Sequence, residues 1–139
     1  MDIKQLINEH YDSMVELRRY MHQHPEISFQ EMNTKKWIYD QIKDFGLDIR
    51  QDVGGNGIVA RLQVNEDFKT VALRADFDAL PIHDEKDVPY RSKTPGVMHA
   101  CGHDAHTAML ITMAKILSEH KEELPVNVVF LHQHAEEQI

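Results

Sequence analysis

The chain carries TVALRAD at residues 70–76 and VNVVFLH at residues 126–132, two short apolar runs on which its predicted fold depends. Each has the length and composition of a strand that is buried in a sheet. Between them, residues 104–120 show the apolar spacing of a helix. Helices that alternate with strands predict an α/β layered domain with a mixed sheet.

The residues before this core add two helices and two strands. Residues 3–21 carry an apolar stripe of helical period, and a second helical stretch covers residues 30–45 up to Gly46, a residue suited to end it. Strands are predicted at residues 47–52 and 57–64, because the glycine-rich cluster between them favours a turn.

Three polar segments are expected to converge at one end of this sheet. Ligand sites in α/β sheets gather at strand ends, and residues 74–78 and 132–137 both follow or end a predicted strand. The cysteine-containing segment 99–104 leads directly into a helix. Residues 77–97 form a long irregular stretch with three prolines, a feature that is often functional in a compact domain.

Composition bounds the classes of function. The 139 residues are 42% apolar and 27% charged, which describes one globular unit. A net charge of −8, with 15 basic side chains among 23 acidic ones, excludes a nucleic-acid surface. No apolar stretch approaches the ~20 residues of a membrane span, and the polar start lacks a secretory core. We therefore expect no membrane partner and, by default, a cytoplasmic location.

The segment HACGHD at residues 99–104 is the first candidate for chemistry. Cys101 is the only cysteine, so it is inert packing, a reactive thiol or a metal ligand. Gly102 permits a sharp bend that lets Cys101 and His103 reach one cation. Thiolate and imidazole suit zinc, manganese, cobalt or nickel better than calcium or magnesium. Asp104 is a candidate to accept a hydrogen bond from a ligand imidazole and fix its tautomer.

Carboxylates near the two strand ends form the second and third candidates. Glu136 and Glu137 follow the last strand, and metal-assisted amide hydrolysis needs one carboxylate to hold the cation and another to move a proton. Asp76 and Asp78 lie on one side of an extended chain, where a carboxylate can orient a ligand histidine. Solvated charge and turn capping are the ordinary alternatives for these residues.

Four ordered motifs together resemble the metal-dependent amidohydrolases related to aminoacylases, hippurate hydrolases and auxin-conjugate hydrolases, within the clan of dinuclear-metal carboxypeptidases. The motifs are LRR, HPE and FQE at residues 17–19, 24–26 and 29–31, LRADFDALPI at 73–82, MHACGHDAHT at 98–107 and HAEE at 134–137. The resemblance covers nearly the whole chain and implies a metallo-aminopeptidase or carboxypeptidase-like fold.

The resemblance also implies roles for individual residues. Cys101 and His103 are then metal ligands, Glu137 is a further ligand and Glu136 is the general base. Asp76 takes the position that supports a ligand histidine. The implied cofactors are two divalent ions, manganese or zinc, with cobalt and nickel also suitable, and the implied substrate is a small acyl-amino acid.

Length is the main departure from this family, whose members continue for more than twice this distance. The missing part normally supplies two histidine ligands, a small dimerisation domain and the substrate pocket. Residues 1–139 are therefore expected to be the N-terminal part of the catalytic domain, truncated before those parts. This chain then does not fully bind both ions by itself, and a homo-oligomer is expected only in a longer parent.

Two other functions stay open from the sequence. One is a noncatalytic metal-binding fragment, favoured by the missing ligands and by an uncovered sheet edge that tends to pair with other chains. The other is a cysteine hydrolase in which Cys101 attacks and His103 or His106 is the base, although the glutamate pair then has no role.

Overall fold

The computed structural model describes residues 1–138. Its helices are α1 (Ile3–Gln23), α2 (Met32–Ile42) and α3 (His103–Glu119), and its strands are β1 (Asp48–Val53), β2 (Gly57–Leu62), β3 (Thr70–Asp76) and β4 (Asn127–Gln133). Single 3-10 turns at Lys121–Glu123 and Glu136–Gln138 follow α3 and β4. Every predicted element is present, with its ends displaced by at most three residues.

The four strands form one sheet in the order β1-β2-β4-β3. β4 pairs antiparallel with β2 and parallel with β3, and β1 pairs antiparallel with β2. The parallel pair requires a crossover, which α3 supplies. The prediction of a mixed-sheet α/β domain is confirmed.

The position of β3 differs from the expectation that it lies in the middle of the sheet. Within residues 1–138, β3 is an edge strand, and the interior strands are β2 and β4. Val71 is 44% exposed, and burial along β3 begins only towards its end, at Ala75 and Asp76. An apolar run shows that a strand can be buried, but it does not show which element covers it.

The core lies where the helices meet the sheet. The N-terminus of α1 is capped by Asp2, whose side chain accepts a hydrogen bond from the amide of Gln5. Fully buried side chains include Met21 of α1, Ile38 of α2, Ile58 of β2 and Phe130 of β4. Each contributes about 1.5–3 kcal/mol through burial.

Among residues 1–138, no helix combines the length and apolar character that crossing a membrane requires.

A buried asparagine anchors the start of β4. Asn127 is 2% exposed, and its side-chain oxygen accepts hydrogen bonds from the amides of Val64 and Asn65 at 2.7 and 3.0 Å. Its side-chain nitrogen donates to the carbonyls of Asn65 and Phe68. This network ties the turn between β2 and β3 to the end of β4 that lies away from the polar segments.

The buried imidazole of His132 should make stability depend on pH. Burial lowers its pKa from 6.5 to about 4, and neither ring nitrogen has a hydrogen-bond partner among the described residues. As the pH falls from 6.5 to 4, the unfolded chain takes up a proton that the folded chain excludes, so stability is lost. This one residue accounts for a loss of up to about 3 kcal/mol at pH 4.

We expect His132→Phe, which keeps a ring and removes the titrating group, to flatten the acid side of the stability profile. Urea unfolding at pH 7 and pH 4.5 measures the effect. His10→Gln, at a partly exposed histidine whose ring is paired with the carbonyl of Leu6, is the control and should keep the parental slope. An unchanged slope in His132→Phe would contradict the burial argument.

Candidate metal centre

The carboxyl ends of β3 and β4 lie side by side and meet the first turn of α3. Asp76 is opposite Gln133 in the parallel register, and the amide of Phe77 donates to the carbonyl of Gln133 at 3.0 Å. The hydroxyl of Thr107, in α3, donates to the carbonyl of Asp76 at 2.8 Å. The three polar segments of the sequence therefore lie together.

Gly102 makes the bend between the cysteine and the helix. Its φ is +94°, in the left-handed region that glycine adopts without strain, and it caps the N-terminus of α3. The bend leaves Cys101 exposed and buries His103, which is 2% exposed. Both side chains nevertheless reach the same end of the sheet.

The ring of His103 is held in one orientation. Its Nδ1 lies 2.8 Å from the backbone carbonyl of Asp78 and 3.1 Å from that residue's Oδ1, so Nδ1–H donates to Asp78. The remaining nitrogen, Nε2, faces carboxylate oxygens of Asp76, Glu137 and Glu136 at 3.4, 3.5 and 3.6 Å. A neutral imidazole with this tautomer offers a lone pair to that space, where a cation would stabilise every surrounding group.

Cys101, His103 and Glu137 form a group that fits a divalent ion. One ligand atom from each lies within 4.8 Å of the others. Ligand atoms bound about 2.0–2.3 Å from one ion lie at most about 4.6 Å apart. The 3.5 Å between Nε2 of His103 and Oε1 of Glu137 falls within that limit. Oε1 of Glu137 is buried and has no hydrogen-bond partner among residues 1–138, as expected of a ligand atom. Sulfur, nitrogen and carboxylate oxygen are donors that zinc accepts.

Glu136 lies beside this group and stays open to solvent. Its Oε2 is 3.6 Å from Nε2 of His103, and its side chain is 25% exposed. It is therefore close enough to act on a molecule held at the same ion while remaining able to exchange protons with water.

The Cys101 thiol is surrounded by negative charge. The neighbouring carboxylate of Glu137, together with some burial and the charges of Glu136 and Asp76, raises the pKa of this thiol. These neighbours oppose the thiolate that a cysteine nucleophile needs. The surroundings of Cys101 thus favour a role as a metal ligand over a role as a nucleophile.

Asp76 contacts two histidines of α3. Its Oδ1 accepts a hydrogen bond from Nδ1 of His106 at 2.8 Å, and its Oδ2 lies 3.4 Å from Nε2 of His103. These three residues form a second group whose ligand atoms lie within 4.8 Å. Arg74 is 3.4 Å from the same carboxylate and donates to Gln133. Asp76 therefore orients the ring of His106 more directly than that of His103.

Asp104 lies elsewhere than expected from the sequence. Its carboxylate does not contact His103 or His106; it accepts from Nδ1 of His22 at 2.8 Å and from Arg18 at 2.9 Å. Burial alone would raise its pKa, but the hydrogen bond from His22 and the charges of His99 and Arg18 lower it. Because the helix turns between residues 103 and 104, neighbouring side chains point in different directions. Asp104 ties α1 to α3 behind the site.

Asp78 is the residue that sequence reasoning undervalued. One of its oxygens orients His103, and the other accepts from the amide of Glu137 at 3.0 Å and from the hydroxyl of Ser28 at 2.7 Å. Burial alone would raise its pKa, but these hydrogen bonds lower it. Its two-residue spacing from Asp76 was a signal, yet spacing could not show which aspartate faces the histidine.

The fold and this cluster define an α/β domain with a candidate metal centre at its strand ends. Comparison with known proteins identifies similar proteins. Residues 72–139 match the model of peptidase family M20/M25/M40. This match over residues 72–139 confirms the resemblance to a family of metal-dependent hydrolases.

Three relatives illustrate the match. The chain is 44% identical over 98% of its length to the N-acyl-L-amino acid amidohydrolase of Geobacillus stearothermophilus, covering 37% of that protein. It is 42% identical over 91% of its length to the IAA-amino acid hydrolase ILR1-like 5 of Arabidopsis thaliana, covering 29% of it. The Bacillus subtilis YXEP protein, described as a dinuclear metal binding peptidase, matches with a TM-score of 0.87 and 40% identity over 94% of this chain and 36% of that one. The chain thus spans about a third of the length of these relatives.

Asp78→Asn should weaken metal binding, because asparagine keeps only one acceptor oxygen, whereas Asp78 accepts from His103 on one oxygen and from the Glu137 amide on the other. We expect affinity for Co²⁺, followed by visible absorption of the chain, to fall by about 10- to 100-fold. The matched control is Asp84→Asn, since Asp84 is equally buried but bonds to Lys86 and Ser92 instead. Equal losses in both variants would contradict a specific role for Asp78.

Proposed function

We propose that residues 1–139 form the N-terminal part of the catalytic domain of a metal-dependent N-acyl-amino-acid amidohydrolase. The observation that carries this function is the grouping of Cys101, His103 and Glu137 within 4.8 Å, with Glu136 beside them. The names of the relatives, which include an amidohydrolase of acyl-amino acids and a hydrolase of an amino-acid conjugate, support the same reaction class.

Cys101, His103 and Glu137 would hold a divalent ion, with manganese or zinc as first choices and cobalt or nickel also suited to this donor set. When bound, such an ion supplies Lewis acidity that polarises an amide carbonyl and acidifies the attacking water. A dinuclear centre fits the description of the related Bacillus subtilis peptidase. We propose two ions in the active enzyme.

Glu136 would move the proton in amide hydrolysis. Its carboxylate takes a proton from water as the water oxygen bonds to the carbonyl carbon. It then donates that proton to the amide nitrogen as the carbon–nitrogen bond breaks, so a carboxylic acid and an amine leave. The exposure of Glu136 gives it access to both water and the leaving group.

The substrate class follows from the same chemistry and the same relatives. A site that activates an amide carbonyl acts on small acyl-amino acids, and a chain with a net charge of −8 does not attract polyanions. We propose a small acyl-amino acid as the partner, with no nucleic acid and no membrane surface.

A noncatalytic metal-binding form of this chain is the second candidate. The two ligand groups share His103, and only its Nε2 is available because Nδ1 donates to Asp78. A single nitrogen can bind only one ion, so the two groups cannot both be occupied through His103. The described residues therefore supply three ligands to a single ion. The observation favours metal binding without turnover when the 139 residues are tested alone.

Glu136→Gln separates the proposed base from the proposed ligands. In the protein that carries these residues, turnover of N-acetyl and N-benzoyl amino acids with added Mn²⁺ should fall by about 100- to 10,000-fold. Metal content should stay at the parental level, because Glu136 is not one of the three ligands. The control is Glu66→Gln, at an exposed glutamate, which should leave both quantities unchanged.

The outcomes distinguish the two candidates. Parental turnover in Glu136→Gln would overturn the assignment of the base. Metal-dependent turnover by the 139 residues alone would overturn the noncatalytic candidate. Absence of metal binding by the chain would overturn both.

A further inference from the structure

The glutamate pair follows a residue with an unusual backbone. Ala135 has a φ of +51°, in the left-handed region, and is followed directly by Glu136 and Glu137. This conformation costs an alanine about 1 kcal/mol, so it persists only where surrounding contacts hold it. We call residues 135–137 the glutamate turn.

Two buried carboxylates hold the backbone of the glutamate turn. The amide of Ala135 donates to Oε2 of Glu31 at 3.0 Å, and the amide of Glu137 donates to Oδ2 of Asp78 at 3.0 Å. Asp78 also orients His103, so its position is tied to the metal centre. Among the described residues, Glu31 makes no hydrogen bond or ion pair with the predicted ligands, and its hydrogen bond to the turn is with the Ala135 amide.

Glu31 is buried at a position where a carboxylate is costly. Its side chain is 0% exposed, and its Oε1 has no hydrogen-bond partner among the described residues. Burial raises its pKa, although hydrogen bonds from the amides of Ala135 and of Glu31 itself act in the opposite direction. Glu31 stands at the N-terminus of α2, yet its side chain makes no capping hydrogen bond there. Helix capping therefore does not account for it, whereas the Ala135 amide does.

The segment that carries Glu31 is also hydrogen-bonded to residues next to the metal centre. Ser28, which lies three residues before Glu31, donates a hydrogen bond from its hydroxyl to Asp78. The amide of Ala79 donates to the carbonyl of Glu26 at 2.8 Å, which fastens this segment to the loop after β3. Residues 26–31 thus brace both carboxylates that hold the glutamate turn.

We infer that Glu31 is a positioning residue: its carboxylate holds the Ala135 amide so that Glu136 and Glu137 face His103. This role rests on the function proposed above. It acts through the backbone of the turn, because the hydrogen bond of Glu31 is to the Ala135 amide and not to a ligand atom.

Two substitutions separate the hydrogen bond from the volume of the side chain. Glu31→Met fills the same space and accepts no hydrogen bond, whereas the side-chain carbonyl of Glu31→Gln can accept from the Ala135 amide. We expect Glu31→Met to weaken Co²⁺ binding to the chain by about 10- to 100-fold. Glu31→Gln should stay within about threefold of the parent, since it restores the acceptor.

Asn127→Ala is the matched control for a general loss of stability. Asn127 is also buried and hydrogen-bonded to backbone groups, but it lies at the opposite end of β4. Binding is measured at a temperature at which circular dichroism shows every variant to be folded. The control should then bind Co²⁺ like the parent.

A double-mutant cycle with Glu137→Gln tests the route of the effect. If Glu31 acts through the turn, Glu31→Met should weaken binding by less than about twofold once the Glu137 ligand is gone. An equal loss in both backgrounds, or an equal loss in Asn127→Ala, would overturn the inference. Parental affinity in Glu31→Met would overturn it as well and leave the proposed function standing. Failure of the parent chain to bind Co²⁺ would overturn the proposed function itself.

Discussion

β3 and β4 run parallel, so their carboxyl ends stop side by side, with Asp76 opposite Gln133. Everything at the candidate centre is placed by this pairing. The strand ends deliver Asp76 and Asp78 from one chain segment and the glutamate turn from another, and the crossover places the N-terminus of α3 between them. If β3 and β4 were antiparallel, their carboxyl ends, and the two carboxylate-bearing segments that follow them, would lie at opposite ends of the strands.

The centre concentrates negative charge around one imidazole. Nε2 of His103 faces three carboxylates at 3.4–3.6 Å, and the same charges raise the pKa of the Cys101 thiol. Like charges held this close destabilise a folded protein unless a cation or a proton compensates them. Asp78, on the Nδ1 side of the same ring, is kept in its charged form by hydrogen bonds from the Glu137 amide and the Ser28 hydroxyl. The arrangement makes physical sense as a binding site for a divalent ion.

Periodicity and turn composition were sufficient for the elements, because helices and strands have different repeats and Gly46 and the cluster at residues 54–57 break them. They could not place β3 at the edge, since the neighbours of a strand come from distant residues. Motif resemblance indicated the family, while the geometry behind the motif needed coordinates. Asp78 orients His103, the role expected of Asp104, because each orientation depends on a helix or loop direction that spacing does not specify. Glu31 belongs to the FQE motif at residues 29–31, but that motif does not show that its carboxylate reaches Ala135, more than one hundred residues further along the chain.

The crossover between β3 and β4 also has a consequence for folding kinetics. Partners in the sheet are far apart in sequence, as in the pairing of Ile58 with His132, and such pairings form slowly because long loops must close first. The centre draws on residues from Asp76 to Glu137, so its ligands come together only after those loops have closed. An ion that binds there recognises the completed fold and not the unfolded chain. A higher concentration of the ion would therefore shift the equilibrium towards the folded state by mass action. Because it would do so mainly by slowing unfolding, it would lengthen the lifetime of the native state.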